Sequence, residues 1–259
     1  MLRSLRFLPL ALALGAFGMF AIGCGGSHAS MRFVHASPDA PNVDVLVDGK
    51  TVATNLPFTS VSPGNGYLTI TAGGRLVEVR PTGTGTDLVN ASNVSFSSHL
   101  QYTVFFTGLV TPPPPPPPCP VPIPPPNQTI SQVPDDNSAP QSGNVKLRVF
   151  HGSPCATLPP PAPPPPPVRL DIYVVAPNTD ITNLSPTISA LAYQQASSYQ
   201  SVAPTSNEVI MTATGDPTKF RLIDQTYTLA AGQIRTLVVL DIAKGGTISP
   251  TPLVLADLN

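Results

Sequence analysis

The chain has 259 residues, only 10% of them charged, with 13 basic against 14 acidic side chains and a net charge of -1. No basic face exists to neutralise phosphates, which excludes electrostatic nucleic-acid binding. Trp is absent, and Val, Ile, Thr, Ser, Pro and Gly dominate beyond the first two dozen residues, a vocabulary of strands and turns that excludes a helical fold.

In chain order, the first element is an export signal. Arg3 and Arg6 precede an apolar run from Phe7 to Ile22 that contains Pro9, is short for a spanning helix and lacks a basic stop-transfer flank. Ala21-Ile22-Gly23-Cys24 resembles the bacterial lipobox, with Ala21 in place of the more usual Leu. Residues 1–23 are therefore expected to be cleaved and Cys24 lipidated, giving a membrane partner through a stable multi-chain anchor and a place in the outer membrane or at the cell surface. Removing Arg3 and Arg6 would leave 11 basic and 14 acidic residues, a net charge of -3. Residues 24–30 read as a flexible tether.

Residues 31–111 form the first predicted domain. Period-2 alternation and turn signals place strands near 31–36, 42–48, 51–54, 66–71, 75–81, 86–96 and 100–109. Val43, Val45 and Val47 share one face, with Asp44, Leu46 and Asp48 on the other, and Asp48-Gly49 and Gly73-Gly74 sit where hairpins need positive φ. Tyr102 to Val110 reads as a more fully buried strand.

Residues 112–144 read as a proline-rich linker. Pro112 to Pro126 should form a polyproline II rod of about 45 Å at 3.1 Å per residue, a spacer followed by a loose segment. The second predicted domain, 145–259, repeats the scheme with strands near 145–151, 168–175, 188–193, 198–202, 207–213, 218–225, 233–242 and 252–256. Its opening restates the first: Arg32-Phe33-Val34-His35-Ala36-Ser37-Pro38 aligns with Arg148-Val149-Phe150-His151-Gly152-Ser153-Pro154, and Val43-Asp44-Val45 with Leu170-Asp171-Ile172. Between these halves the second copy inserts a proline-rich loop, 154–168. Proline cannot donate to a sheet ladder, so the insertion must leave the sheet at its rim. The expected fold is all-β: two tandem, immunoglobulin-like β-sandwiches joined by the linker, with an open barrel as the alternative.

If Cys24 carries lipid, Cys119 and Cys155 remain as a candidate disulfide in an oxidising compartment. Closing such a loop stabilises by roughly 4 kcal/mol in the chain-entropy model. Two free thiols are the alternative, and a zinc site lacks its Cys-x-x-Cys or His pair.

The first unit resembles the bacterial domain of unknown function numbered 4397 in the phrase MRFVHASPDAPNVDVLVDGKTVATNLPF, continued by YLTITAGGRLVEVRPTG. The second unit departs from it: Gly152 stands for Ala36, Cys155 for Asp39, and prolines fill the turn. The resemblance implies an exported, often tandem β domain and carries no catalytic residue with it.

The repeated phrase is read as a structural turn motif built from His35, Ser37, Pro38 and Asp44 in one copy and His151, Ser153, Pro154 and Asp171 in the other. Each residue has a backbone task in a turn: a ring hydrogen bond, a hydroxyl turn, a fixed φ, a carboxylate for turn amides. A metal site from His35, Asp39 and Asp44 loses its middle carboxylate in the second copy, where Cys155 replaces it. A Ser37, His35, Asp44 triad lacks a nucleophile elbow and oxyanion donors. No catalytic residue, metal or cofactor is assigned. His28 and His99 read as loop residues, and Asp135-Asp136 lacks the Gly and Glu of a calcium loop. Sequons at Asn90, Asn93, Asn127 and Asn183 would matter only on a eukaryotic secretory route. Phe58, Tyr67, Phe96, Tyr102, Phe105 and Phe106 read as core, with a carbohydrate platform as the rival. The expected function is structural or adhesive display by a non-enzymatic envelope lipoprotein; the alternative is a carbohydrate- or peptide-binding module with an envelope glycan or protein as partner, using the rim loop.

Overall fold

The computed structural model describes residues 27–111, 127–156, 168–242, 248–249 and 251–257. Its first part runs β1 (His28–His35), β2 (Val43–Val47), β3 (Lys50–Leu56), β4 (Val61–Ser62), β5 (Leu68–Thr71), β6 (Gly73–Pro81), β7 (Val89–Phe96), β8 (Gln101–Thr107) and β9 (Thr129–Asp135). The second part runs β10 (Val145–His151), β11 (Leu170–Val175), β12 (Ile188–Leu191), β13 (Gln200–Val202), β14 (Ser206–Ala213), β15 (Arg221–Thr228), β16 (Ile234–Val239) and β17 (Leu253–Ala256). Among the described residues there is no helix.

The two parts have matching sheets. In the first, β4-β1-β8-β9 faces β3-β2-β6-β7, with β5 also paired to β1; in the second, β13-β10-β16-β17 faces β12-β11-β14-β15. Neighbours are antiparallel except β1 with β8 and β10 with β16, which are parallel. The chain is thus all-β, two sandwiches in tandem. Inward side chains follow the strand period: Ala29, Met31 and Phe33 meet Val43, Val45 and Val47 in the first core, and Leu147 and Val149 meet Leu170 and Ile172 in the second.

The strands β1, β8, β10 and β16 are buried on both faces, which explains why their sequences do not alternate with polar residues. Phe33, Val104 and Phe106 point into the first core and Leu237 and Val239 into the second. The opposite faces of these strands supply Val34, Phe105, Phe150 and Val238, which with Ala36, Leu240 and Leu255 form a separate cluster of seven buried residues between the sandwiches. Phe105 stacks on Phe150 at 3.7 Å between ring centroids and 7° between planes. The molecule is a four-layer stack of sheets.

Two expectations are corrected here. Residues 127–144, read as the loose end of a linker, contain β9, which pairs with β8 from Gln101↔Asp135 to Thr107↔Thr129. Residues 28–30, read as the end of a flexible tether, belong to β1 and pair with Thr69 to Thr71 of β5. Pro112 to Pro126, read as a spacer, lies outside the described residues, and the middle sheets of the two sandwiches pack face to face. β1 and β10 run in the same sense along this seam: Arg32 and Arg148 both approach Asp135 at one level, Phe105 and Phe150 stack at the next, and Thr107 and Gln194 lie beyond, 3.1 Å apart. Both sandwiches therefore begin at the same end of the molecule.

Candidate functional site

The repeated phrases occupy equivalent turns. His35 and His151 end β1 and β10 with no exposed surface. Each ring reaches over its turn to the backbone just ahead of the next strand: His35 Nε2 is 3.0 Å from the Pro41 carbonyl, and His151 Nε2 is 2.9 Å from that of Val168. A carbonyl accepts only, so Nε2 carries the proton. Nδ1 is buried without a partner in both rings. Burial holds both imidazoles neutral, lowering the pKa of His35 and bringing that of His151 down to about 4. Pro38 and Pro154 sit in the turns themselves.

Asp44 and Asp171 hold a β-bulge in each outer sheet. Asp44 accepts the Asn55 N–H at 2.8 Å, and Asp171 that of Ala190 at 2.8 Å. Both donors have positive φ, 50° and 51°, and the register shifts beside each aspartate. Each carboxylate also takes a threonine hydroxyl from the far hairpin, Thr82 at 3.1 Å and Thr214 at 2.8 Å. The amide of Asn55, with Gly83 N–H and the Thr82 hydroxyl, lowers the pKa of Asp44.

The two copies differ by an exchange of carboxylates. Ser37 donates to the Gly108 carbonyl at 2.8 Å, and Asp39 caps the amides of Val110 and Thr111, each at 2.8 Å. In the second copy Cys155 takes the place of Asp39, and the carboxylate comes from the opposite side: Asp241, at the position of Gly108, accepts the Ser153 hydroxyl and the Cys155 N–H, the latter at 3.0 Å. Gly108 cannot take that role in the first copy, because it has φ +98° and a Cβ there would lie 2.5 Å from the Asn127 carbonyl. Burial raises the pKa of Asp241 to about 7, against the pull of Ser153 and the Cys155 amide. Cys155 is disulfide-bonded and packs on Leu109. Cys24 and Cys119 lie outside the described residues, and the expected Cys119 pairing with them.

The seam carries the polar constellation that sequence reading missed. Arg32 donates Nε–H to Thr103 Oγ1 at 2.8 Å, one Nη1–H to the Ala256 carbonyl at 2.8 Å and Nη2–H to Asp257. Arg148 repeats this with Thr236 at 2.8 Å, the Pro134 carbonyl at 2.9 Å and Asp135. Each sandwich thus supplies, at the end of its last strand, the carboxylate that neutralises the other's arginine. All four charged side chains are at most 3% exposed. Tyr67 donates to Asp135 at 2.6 Å and Tyr199 to Asp257 at 2.9 Å, and their rings lie under Arg32 and Arg148. The signal was present: an arginine at the same place in two strands, followed by Phe33-Val34 in one and Val149-Phe150 in the other.

These placements decide among the chemistries considered. His35, Asp39 and Asp44 are not brought together, and among the described residues no three His, Cys, Asp or Glu side chains are grouped to hold a metal ion. Ser37 donates to a backbone carbonyl, not to His35, so the triad does not form. Phe96, Phe105 and Phe106 are fully buried, Tyr102 nearly so, Phe58 packs in the seam cluster and edge-on to His35, and Tyr67 is engaged by Asp135. None offers a platform for a sugar. His28 starts β1, His99 lies in the turn before β8, and Asp136 pairs with Lys146 at 2.6 Å.

The fold and the site define a class, a tandem β-sandwich that carries the same phrase at equivalent turns. The family model of a domain of unknown function (DUF4397) matches residues 29–157, from β1 through β9 and on to the second copy of the phrase. No curated protein matches the chain. Among solved structures the chain is similar to the carbohydrate-binding module CBMbc (family CBM26) from Eubacterium rectale Amy13K, crystallised in complex with maltoheptaose. That likeness has 10% identity and a TM-score of 0.23, over 86% of this chain and 97% of that one, and carries no argument.

Proposed function

We propose that the protein is a non-enzymatic lipoprotein of the bacterial envelope, tethered through Cys24 after loss of residues 1–23, whose two sandwiches act as one stiff structural or adhesive body. On this reading the second sandwich is a divergent copy of the DUF4397 domain. The observation that carries the proposal is the internal use of every polar residue in both phrases, which leaves none to meet a substrate. The reciprocal arginine clasp adds that the duplication serves rigidity. Labelling cells with an alkyne palmitate analogue tests the anchor: the label and membrane fractionation should both be lost in Cys24→Ser. Ester, peptide or glycoside turnover by the purified protein that is abolished by Ser37→Ala would overturn the non-enzymatic reading.

A glycan-binding role is the second reading, supported by a groove of about 880 Å³ along the seam, with Gln101, Asn137 and Ser198 in its wall. The Oδ1 atom of Asn137 is buried without a partner. Tyr199 also lines it, but its ring is covered by Lys146 and Arg148, at 5.0 and 4.6 Å. Binding on a glycan array that is lost in Asn137→Ala would favour this reading.

A further inference from the structure

The first sandwich has an open mouth where edge strands β3 and β5 diverge, a cleft of about 440 Å³. Its floor is aliphatic, formed by Val47, Val52, Leu68 and Ile70, and its rim carries His28, Lys50 and Arg75. Asp48 is the acidic group of the lining, and it is already committed: it pairs with Arg75 at 3.0 Å and accepts the Leu76 N–H at 2.9 Å. Arg75 Nε is buried without a hydrogen-bond partner. Lys50 is exposed and enters none of the ion pairs among the described residues, and the exposed threonines 51, 69 and 71 add hydroxyls to the wall. The rim therefore presents uncompensated positive charge and hydroxyls above an apolar floor. Where the first sandwich closes this end with the tight Asp48-Gly49 hairpin, the second has the longer loop 176–187, so the cleft belongs to the first sandwich.

Position supplies the occupant. His28, on the rim, is four residues after Cys24, a span of at most about 14 Å. Resting on the proposed lipid anchor, we infer that this cleft is a headgroup site for an anionic phospholipid of the membrane to which the chain is tethered. Lys50 and His28 face the phosphate, the threonine hydroxyls meet the polar head, and the aliphatic floor takes the first methylenes of the acyl chains. A zwitterionic head would bring its quaternary ammonium against the cationic rim and be disfavoured. The site fixes which end of the stack faces the bilayer, which a flexible tether alone does not.

The test uses the chain from residue 24 onward carrying Cys24→Ser, titrated calorimetrically with dihexanoyl phosphatidylglycerol below its micellar concentration. Saturable binding is expected, weakened about tenfold by Lys50→Glu and absent with dihexanoyl phosphatidylcholine. No binding, equal binding of the two lipids, or binding indifferent to Lys50→Glu overturns the site. Equal competition by inorganic phosphate would assign a free-phosphate site and overturn it as well. The mass of the wild-type protein from membranes reports acylation separately: an acylated chain that binds no lipid removes the site and keeps the anchor, and the reverse result removes the anchor and keeps the site.

Discussion

The buried titrating groups of the second phrase act in opposite directions on stability. His151 has its pKa lowered from 6.5 to about 4, so the unfolded chain binds more protons between those values, and the stability present above 6.5 is lost as pH falls through 4. Asp241 has its pKa raised from 3.8 to about 7, so the folded chain binds more protons, and the stability present below 3.8 is lost as pH rises through 7. Over the shared window each offsets the other, and His35 adds to the histidine side. Asp241→Asn should remove one side and leave a fall of about 3 kcal/mol from pH 6.5 to 4, read by urea denaturation at several pH values. Equal slopes in the variant and the wild type would show that Asp241 does not titrate in this range. At the same scale, Asp171→Ala removes the acceptor for the Ala190 amide and should cost about 1 to 3 kcal/mol, whereas Lys50→Glu should leave stability within about 0.5 kcal/mol.

Among the elements, the four doubly buried strands set the cost of disruption. Phe105→Ala deletes half of the ring stack in a cluster of seven buried residues, and should destabilise by about 3 to 5 kcal/mol. Arg148→Met leaves Asp135 buried opposite an apolar chain and should cost a similar 3 to 5 kcal/mol, with much of the loss recovered when Asp135→Leu is added. Failure of the double variant to recover would mean that Asp135 is held by Tyr67 and Thr103 independently of Arg148. The sequence made most strands legible because Val43, Val45, Val47 and their counterparts alternate at period 2, and because Asp48-Gly49 marks its hairpin. β9 was not legible. It is an edge strand of half-buried residues, its hydrophobic signal is weak, and a long proline-rich stretch separates it from its partner β8, so no hairpin cue precedes it. The turn residues were legible as a repeat, but the move of a carboxylate from Asp39 to Asp241 was not: the two positions lie far apart in the chain and meet only when β8 and β16 lie beside β1 and β10.

For the whole molecule, the face-to-face seam makes the two sandwiches a single thermodynamic body. Thermal unfolding should give one transition for the wild type and two for the combined Phe105→Ala, Phe150→Ala variant, followed by calorimetry. Small-angle scattering should give a single-peaked distance distribution; two separated maxima would mean that the sandwiches do not pack on each other in solution. The clasp at this seam has a consequence for inheritance. A gene truncated to either half would encode a sandwich with an unneutralised guanidinium, an orphan carboxylate and a bared patch of valine and phenylalanine, a product prone to clumping and quick destruction. With each half carrying the other's counter-charge, neither could be deleted without leaving buried charge in what remained.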